Sequence, residues 1–144
     1  MTRGFERISG AEDVQLPRRS TSKSAGYDFF NTEDVTIAPG SQVIIHTGIK
    51  VYMQDDEALF IYPRSSIGIK KGLMLKNTTG IIDPDYYNNE KNEGEIMICL
   101  YNISDHPVHL EKGEKIAQGI FQKFFLADDI EKEERKGGIG STGK

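Results

Sequence analysis

The chain of 144 residues has no tryptophan, and Cys99 is its single cysteine. One cysteine excludes an intramolecular disulfide bond and a zinc site made of several cysteines. No stretch approaches the ~20 apolar residues that a membrane-spanning helix needs, and the N-terminus lacks the apolar segment of a signal peptide. We therefore expect one soluble, cytoplasmic domain that does not associate with a membrane. Because Cys99 lies in an apolar run, we expect its thiol to be buried and structural.

Basic residues are also in the minority. The 18 Lys and Arg residues are outnumbered by 22 Asp and Glu, and the net charge is -4. Proteins that bind nucleic acid along its backbone are usually basic, so nucleic acid is not an expected partner. A small phosphorylated ligand is compatible with this charge, because it needs only a local cluster of hydrogen-bond donors. The apolar fraction of 37% is modest, which is compatible with stabilisation by association.

Long helical periodicity is missing too, and the apolar pattern is typical of strands. Apolar residues alternate from Val43 to Met53, which predicts one half-buried strand. A continuous apolar run at residues 96–101 predicts a strand that is covered on both faces. Further strands are predicted at residues 59–62, 108–110 and 116–125. Many short strands separated by turn residues are typical of an all-β sandwich, jelly roll or barrel.

Polar residues suited to an anion follow the predicted strand at residues 59–62. Arg64 can donate two hydrogen bonds to one phosphate group. Ser65 and Ser66 add hydroxyls and backbone N–H groups at the start of a predicted short helical turn over residues 65–71, where an anion is favoured. The alternative is an ordinary N-cap at these serines, and the residues alone leave both interpretations open.

A second polar group follows the apolar pair at residues 81–82. Asp83, at the end of a buried strand, can serve as a general base for a water molecule. The alternative is an Asx-type turn at Asp83 and Pro84, which leaves Asn77 and Tyr86 unexplained. A third polar stretch, residues 24–28, is by itself most simply the start of a strand after a turn.

Two stretches have the composition of mobile segments. Residues 88–93 are entirely polar. Residues 127–144 begin with charged side chains and end in glycine, serine and threonine. Composition alone indicates disorder for this C-terminal stretch. The three histidines lack the spacing of metal ligands, and we expect them at the surface or as strand residues with satisfied hydrogen bonds.

Taken in order, the polar stretches resemble the five motifs of the trimeric dUTPase family. The match runs from about residue 16 to residue 143. Each motif is short, but five motifs in this order and spacing are specific. They are residues 25–28, residues 63–66 with Gly68 and Lys70, residues 80–86, residues 113–121, and Arg135 with residues 137–143.

The resemblance implies a fold, an assembly and an activity. The fold is a jelly-roll-like (β-clip) domain at residues 1–126, with a mobile C-terminal arm at residues 127–144 that closes over an active site. The assembly is a homotrimer with three sites at its interfaces, each built from several chains. The activity is hydrolysis of dUTP to dUMP and pyrophosphate, which controls the dUTP level and supplies dUMP for thymidylate synthesis. The implied cofactor is Mg2+, bound through the substrate phosphates without a direct protein ligand.

Residue roles are implied position by position. Asp83 corresponds to the general base that activates the attacking water. Tyr86 corresponds to the residue that packs on the deoxyribose and excludes a 2′-hydroxyl. Asp28 corresponds to a residue that orients its neighbours or contacts the metal through water. The hairpin that recognises uracil corresponds to Asn77, Gly80, Ile82 and the backbone at Met97.

Phosphate contacts are implied on two sides of the substrate. Those of the β domain are Arg64, Ser65, Ser66 and Gln118. Those of the arm, which closes over the γ-phosphate, are Arg135, Ser141 and Thr142, with Ile139 near the base. The family usually has a phenylalanine that stacks on uracil where this chain has Ile139, so weaker closure of the arm is expected. Residues 88–93 also depart from the family, because they lengthen the hairpin loop where many relatives turn tightly.

Two alternative functions remain. The dCTP deaminases share the fold and the second motif, but their catalytic glutamate aligns with Cys99, which cannot replace it. The other alternative is a regulatory protein that uses the same scaffold to bind a protein partner, as is thought for some phage-encoded relatives. Residues 88–93 are then the contact surface. An intact Asp83 argues against a purely regulatory role, although a fold does not fix a function.

Overall fold

The structure, a computed structural model, describes residues 1–128. Over these residues the chain forms short strands and two short helical turns, Ser66–Lys70 and Pro84–Tyr86. No long helix occurs within this range, as the missing helical periodicity predicts. The strands are β1 (Gly4–Arg7), β2 (Tyr27–Phe30), β3 (Val35–Ile37), β4 (Gln42–His46), β5 (Ile49–Tyr52), β6 (Glu57–Pro63), β7 (Leu73–Leu75), β8 (Gly80–Ile82), β9 (Met97–Asn102), β10 (Val108–Leu110) and β11 (Lys115–Lys123).

The strands form four antiparallel sheets. The largest has the order β2-β11-β6-β8, and a three-stranded sheet has the order β4-β9-β7. Two further pairs, β1 with β5 and β3 with β10, complete the domain. The neighbours in each sheet are mostly distant in sequence, which is typical of jelly-roll-like connections. The prediction of an all-β, jelly-roll-like fold is confirmed.

The hydrophobic core is formed by the inward faces of these sheets. Leu59 on β6, Leu100 on β9 and Ile116 on β11 have no solvent-exposed surface. Burial of one such side chain contributes roughly 1.5–3 kcal/mol. The same core therefore fixes β6 and β11, whose ends carry the second and fourth motifs.

The strand that alternation predicts from Val43 to Met53 is divided in two. β4 pairs with β9, whereas β5 pairs with β1. Between them, Gly48 has a φ angle of 73°, a left-handed conformation that interrupts an extended strand. The prediction of one strand is therefore wrong. Odd-numbered residues point inward both before and after Gly48, so the alternating pattern does not reveal the break between β4 and β5.

β9 is fully covered on only one face. Ile98 and Leu100 are buried, whereas Met97 is exposed and Cys99 is half-buried. The expectation of a strand covered on both faces, with a buried thiol, is therefore wrong. On the outer face of the sheet β4-β9-β7, the side chains are half-buried or exposed. The partial burial of Cys99 still raises the pKa of its thiol.

Three further expectations concern the surface and the C-terminus. His46, His106 and His109 are exposed, as expected. Among the described residues, no helix has the length and apolar character to cross a membrane. Most of the predicted arm at residues 127–144 lies outside the described residues, so the arm and its boundary stay predictions.

Candidate active site

Three neighbouring strands bring the first, second and fourth motifs together. On β11, Gln118 pairs with Asp28 of β2 on one side and with Tyr62 of β6 on the other. Arg64 follows β6 directly, and its guanidinium donates a hydrogen bond to the Asp28 carboxylate. The side-chain amide of Gln118 donates to the carbonyl oxygen of Pro63 at 3.4 Å. Asp28, Arg64 and Gln118 thus form one group, which we call the Asp28 cluster.

Asp28 lies at the centre of this cluster and is only 2% exposed. Besides Arg64, it accepts a hydrogen bond from the Ser20 hydroxyl at 2.9 Å, and the Lys115 ammonium lies 3.5 Å away. A buried carboxylate requires such partners, because its charge is costly to remove from water. Two cations share this one carboxylate, which leaves the cluster with a positive charge that suits a phosphorylated ligand.

Ser65 and Ser66 lie where the predicted helical turn begins, and both are exposed. The Ser65 side chain makes no capping hydrogen bond to the turn. The interpretation of these serines as an ordinary N-cap is therefore not supported. Ile67 is 1% exposed and attaches the turn to the core, so the serines are presented to solvent from a fixed position beside Arg64.

The third motif lies toward the other end of β6. Ile82 of β8 pairs with Leu59. Asp83 follows, and its backbone carbonyl accepts a hydrogen bond of 3.1 Å from the N–H of Tyr86, which closes the turn Pro84–Tyr86. The Asp83 side chain does not cap this turn, so the Asx-type interpretation is not needed. Asn77 lies close to the start of β8, with its side-chain nitrogen 3.8 Å from a Cβ built on Gly80.

Tyr86 is 6% exposed, and its hydroxyl has two hydrogen bonds. It donates to the backbone carbonyl of Glu95 at 2.7 Å and accepts from the side-chain nitrogen of Asn92 at 2.8 Å. The ring is therefore fixed both by packing and by its polar end. Residues 88–93, which contain Asn92, form a hydrogen-bonded loop, and the expectation that this stretch is loosely held is wrong.

The residues expected to recognise uracil lie on or beside two strands that belong to different sheets. β8 pairs with β6, whereas β9, which begins at Met97, pairs with β4 and β7. β8 and β9 are therefore not paired with each other, and the assignment of Asn77, Gly80, Ile82 and Met97 to uracil recognition stays a prediction. Met97 is 37% exposed at the start of its strand, and Gly80 and Ile82 are half-buried on theirs.

The Asp28 cluster and Asp83 are separated within one chain. Ile82 pairs with Leu59, four positions before Pro63 on β6. A strand rises ~3.3 Å per residue, so four positions correspond to ~13 Å. Measured along the axis of β6, Asp83 and Arg64 are therefore at least ~13 Å apart. A general base must reach the proton that it removes directly or through one water molecule. One chain therefore does not place Asp83 and Arg64 on the same phosphate group.

Lys115 and Ser20 complete the Asp28 cluster, although neither is among the site residues that the sequence predicts. Lys115 lies within the fourth motif, three positions before Gln118. Ser20 is brought to the cluster because Arg18 forms a β-bridge with Asp28. For Ser20, the sequence offers one indication of a role, which is its place in a polar stretch just before the first motif. The implied arm residues Arg135, Ile139, Ser141 and Thr142 lie outside the described residues.

The described residues offer few ligands for a metal ion. Within residues 1–128, no group of three or more His, Cys, Asp or Glu side chains is arranged to hold one. Phosphate oxygens are ligands that Mg2+ prefers, so a bound triphosphate would supply ligands for the ion. The two oxygens of Asp28 already accept bonds from Arg64 and Ser20. Through these two bonds Asp28 holds the side chains of Arg64 and Ser20 in place.

These features define a β-rich, jelly-roll-like domain in which the polar residues of three motifs lie together on neighbouring strands. A sequence model of the dUTPase family matches residues 12–143. A deoxyuridine 5'-triphosphate nucleotidohydrolase of Lactococcus lactis subsp. lactis is 49% identical over 146 residues, which cover 98% of this chain and 97% of that protein. The chain belongs to the dUTPase family.

Solved structures show the same relationship. A dUTPase from Streptococcus mutans is 45% identical and superposes with a TM-score of 0.79, over 88% of this chain and 99% of that one. A dUTPase of Staphylococcus bacteriophage 80alpha has a TM-score of 0.75 at 22% identity, over 92% of this chain and 97% of that one. The phage protein is too distant in sequence to show more than the shared fold.

Proposed function

We propose that this protein is a dUTP diphosphatase, which hydrolyses dUTP to dUMP and pyrophosphate in the active sites of a homotrimer. The observation that carries the proposal is the match to the dUTPase family over residues 12–143, with Asp83 intact at the end of β8. The reaction controls the dUTP level and supplies dUMP for thymidylate synthesis. We place it in the cytoplasm, where these nucleotides are used.

Asp83 is the general base of the proposed reaction. Its carboxylate accepts a proton from a water molecule, and the water oxygen attacks the α-phosphorus of dUTP. The bond from the α-phosphorus to the oxygen that bridges it to the β-phosphorus breaks, and pyrophosphate leaves with that oxygen. Transfer of this kind depends on positioning and on neutralisation of charge. A positioned general base contributes typically ~100- to ~10,000-fold.

The Asp28 cluster binds the phosphates in this proposal. Asp28 orients the guanidinium of Arg64, which donates to phosphate oxygens, and Ser65, Ser66 and Gln118 add further donors. The Nε atom of Arg64 is buried without a hydrogen-bond partner among the described residues, so this side chain is not satisfied within residues 1–128. Mg2+ bound through the three phosphates supplies further neutralisation of their charge.

The third motif recognises the base and the sugar. Asn77 and the backbone of Gly80, Ile82 and Met97 pair with the edge of uracil, whose donor pattern is opposite to that of cytosine. Rejection of the wrong base can be strong, because it leaves buried polar groups unpaired. Tyr86 packs on the deoxyribose and leaves no room for a 2′-hydroxyl.

The arm completes the site over the phosphates. Arg135, Ser141 and Thr142 contact the γ-phosphate, and Ile139 covers the base. These assignments rest on the match of the family model, which extends to residue 143.

The separation of Asp83 from Arg64 supports a site that is shared between chains. A second copy can bring its own Asp28 cluster to the Asp83 of the first copy. Large apolar side chains also remain exposed on the described strands, and these are Ile44 at 49%, Ile81 at 58% and Met97 at 37%. Exposed apolar surface of this kind is typical of an interface, and the closed assembly that we propose is a trimer.

Neither alternative function gains support from the site. Cys99, which aligns with the catalytic glutamate of dCTP deaminases, is a half-buried thiol on the outer face of β9. A purely regulatory protein does not require the paired Asp28 and Arg64 or an intact Asp83.

The first experiment measures pyrophosphate release from the full chain with Mg2+ and with dUTP, dCTP, dTTP or UTP. Release from dUTP alone is expected. Release of ammonia from dCTP would instead identify a deaminase. No release from any nucleotide would overturn the proposal and would direct attention to a protein partner.

A mixing experiment tests the shared site. Asp83→Asn and Arg64→Ala chains are each expected to be inactive by themselves. When they are unfolded together and refolded, some sites combine an intact Asp83 from one chain with an intact Arg64 from another, so activity should return. Activity that stays absent in mixed trimers, with each parent still trimeric by analytical ultracentrifugation, would show that the site lies within one chain.

A further inference from the structure

Residues 88–93, which we call the polar loop, bond to Tyr86 through the side chains of Asn89 and Asn92. The side-chain nitrogen of Asn89 donates to the Tyr86 carbonyl oxygen at 2.7 Å and to the side-chain oxygen of Asn92 at 2.9 Å. The same Asn92 oxygen accepts the backbone N–H of Gly94 at 3.1 Å. The Asn92 nitrogen is thereby turned toward the Tyr86 hydroxyl, to which it donates at 2.8 Å.

The polar loop is also bound to the body of the domain. Lys50 of β5 is only 8% exposed, and its ammonium donates to Asn88 at 2.6 Å and to Glu93 at 2.8 Å. Glu93 accepts a further hydrogen bond from the backbone N–H of Ser9 at 3.1 Å. Hydrogen bonding to Lys50 holds the pKa of Glu93 below its ordinary value. Both ends of the loop are therefore attached to the region around β1 and β5.

The backbone of the polar loop adopts an uncommon conformation. Asn88 and Glu93 have φ angles of 56° and 65°, and Gly94, which follows the loop, has a φ angle of 93°. Asparagine and glycine tolerate the left-handed region, but a glutamate there is uncommon. Such conformations persist where surrounding bonds over-determine them, and they concentrate at functional sites. The bonds from Lys50 and Ser9 to Glu93 supply that constraint.

We propose that Asn92 is a positioning residue for the selection of deoxyribose over ribose, an inference that rests on the proposed role of Tyr86. A ring that excludes a 2′-hydroxyl by contact works only if it cannot move aside. The two hydrogen bonds on the Tyr86 hydroxyl prevent that movement, and Asn92 supplies the one bond that comes from a side chain. A side chain that selects a ligand by contact keeps its position only when the residues that support it are themselves fixed.

The test compares the affinities of the full chain for dUMP and UMP by isothermal titration calorimetry, which requires no turnover. Asn92→Ala should lower the ratio of dUMP to UMP affinity by about three- to tenfold, the effect expected from one neutral hydrogen bond. The kcat for dUTP should stay within about twofold, because no reacting atom contacts Asn92. The matched control is Lys91→Ala, an exposed neighbour in the same loop, which should leave the ratio unchanged.

A double-mutant cycle with Tyr86→Phe identifies the bond itself. Tyr86→Phe and Asn92→Ala should each lower the ratio, and the double variant should be no worse than the stronger single one, since residues that share a bond are not additive. Asn92→Asp retains the oxygen that accepts from Gly94 but removes the N–H donor. If the alanine variant does not fold, Asn92→Asp tests the role instead, because the Tyr86 hydroxyl can then bond to residue 92 only by giving up its bond to the Glu95 carbonyl.

The outcomes separate this inference from the proposed function. A wild-type protein that hydrolyses dUTP selectively, with an unchanged ratio in Asn92→Ala and Asn92→Asp, would overturn only the role of Asn92. Additive effects in the cycle would overturn it as well. A wild-type protein that binds neither monophosphate selectively would overturn the proposed sugar recognition and, with it, the positioning role.

Discussion

Gly94 lies against the backbone of Tyr86, so that a Cβ atom on Gly94 would be 2.7 Å from the Tyr86 carbonyl oxygen. The same atom would be 2.9 Å from the backbone nitrogen of Asn88. Contacts this short do not occur, and the φ angle of 93° is one that side chains rarely allow. The chain therefore returns from the polar loop to β9 by a path that only glycine permits. This path keeps Tyr86 beside the loop that bonds to its hydroxyl.

The first prediction concerns this close approach. Gly94→Ala should displace the backbone at Tyr86, lower the free energy of unfolding by about 2 kcal/mol or more, and raise the KM for dUTP. Gly40→Ala is the matched control, because Gly40 has a φ angle of 74° but open space around it. The control should lose only about 1 kcal/mol. Urea unfolding of both variants measures the difference, and equal losses would show that the contact with Tyr86 is unimportant.

The second prediction concerns the general base. Asp83→Asn should bind dUTP with nearly unchanged affinity but lose turnover by at least ~100-fold, because the amide cannot accept the proton from water. Asp55→Asn is the matched control, since Asp55 lines the same cleft as Asp83 but lies outside the motifs. Calorimetry measures binding, and pyrophosphate release measures turnover. Retained turnover in Asp83→Asn would remove this residue from the role of base.

The motif residues could be located from the sequence because each motif is a short local string. Asp28, Arg64 and Gln118 were each assigned to the site, and the structure joins them through the pairing of β2, β11 and β6. That the three meet on adjacent strands was not predictable from spacing, because antiparallel register depends on pairing between distant segments. The strand break at Gly48 was not predictable for a related reason, since the alternation of side chains in the sequence continues through it.

The sequence wrongly indicates that the polar loop is mobile. Its composition is that of a mobile segment, yet it is held by bonds to residues far away in sequence. Lys50 and Glu93 are 43 positions apart, and Ser9 and Glu93 are 84 apart. Composition reports the absence of apolar residues but carries no information on such distant polar partners, which only the folded chain brings together.

The third prediction concerns stability at acid pH. Glu57 is 4% exposed, and Arg3 donates to both of its carboxylate oxygens, at 3.0 and 3.1 Å from Nε. Hydrogen bonding to Arg3 lowers the pKa of Glu57 in the folded protein. As the pH falls, residue 57 is therefore protonated first in the unfolded chain, near the ordinary glutamate pKa of ~4.3. The Glu57 carboxylate therefore contributes its full share of the free energy of unfolding above that pH. This contribution is lost as the pH falls through the lower pKa of Glu57 in the folded protein.

Glu57→Gln tests this dependence. The variant should be less stable than the wild type at pH 7, and the difference should shrink as the pH falls from about 5 to about 3, because protonated glutamate resembles glutamine. Asp56→Asn is the control, since its ion pair with Lys123 is exposed and contributes little. Urea unfolding over this pH range gives the curves. A difference that stays constant with pH would show that the charge of Glu57 does not stabilise the fold.

The fourth prediction concerns the arm and the residue expected to cover uracil. Stacking of an aromatic side chain on a base contributes ~1–3 kcal/mol, and Ile139 has no aromatic face. Ile139→Phe should therefore lower the KM for dUTP by about tenfold while kcat changes little, unless release of product becomes slower. Ile130→Phe is the matched control, because it makes the same substitution in the arm outside the fifth motif. Steady-state kinetics with dUTP measure both variants. Equal effects of the two substitutions would show that residue 139 does not contact the base.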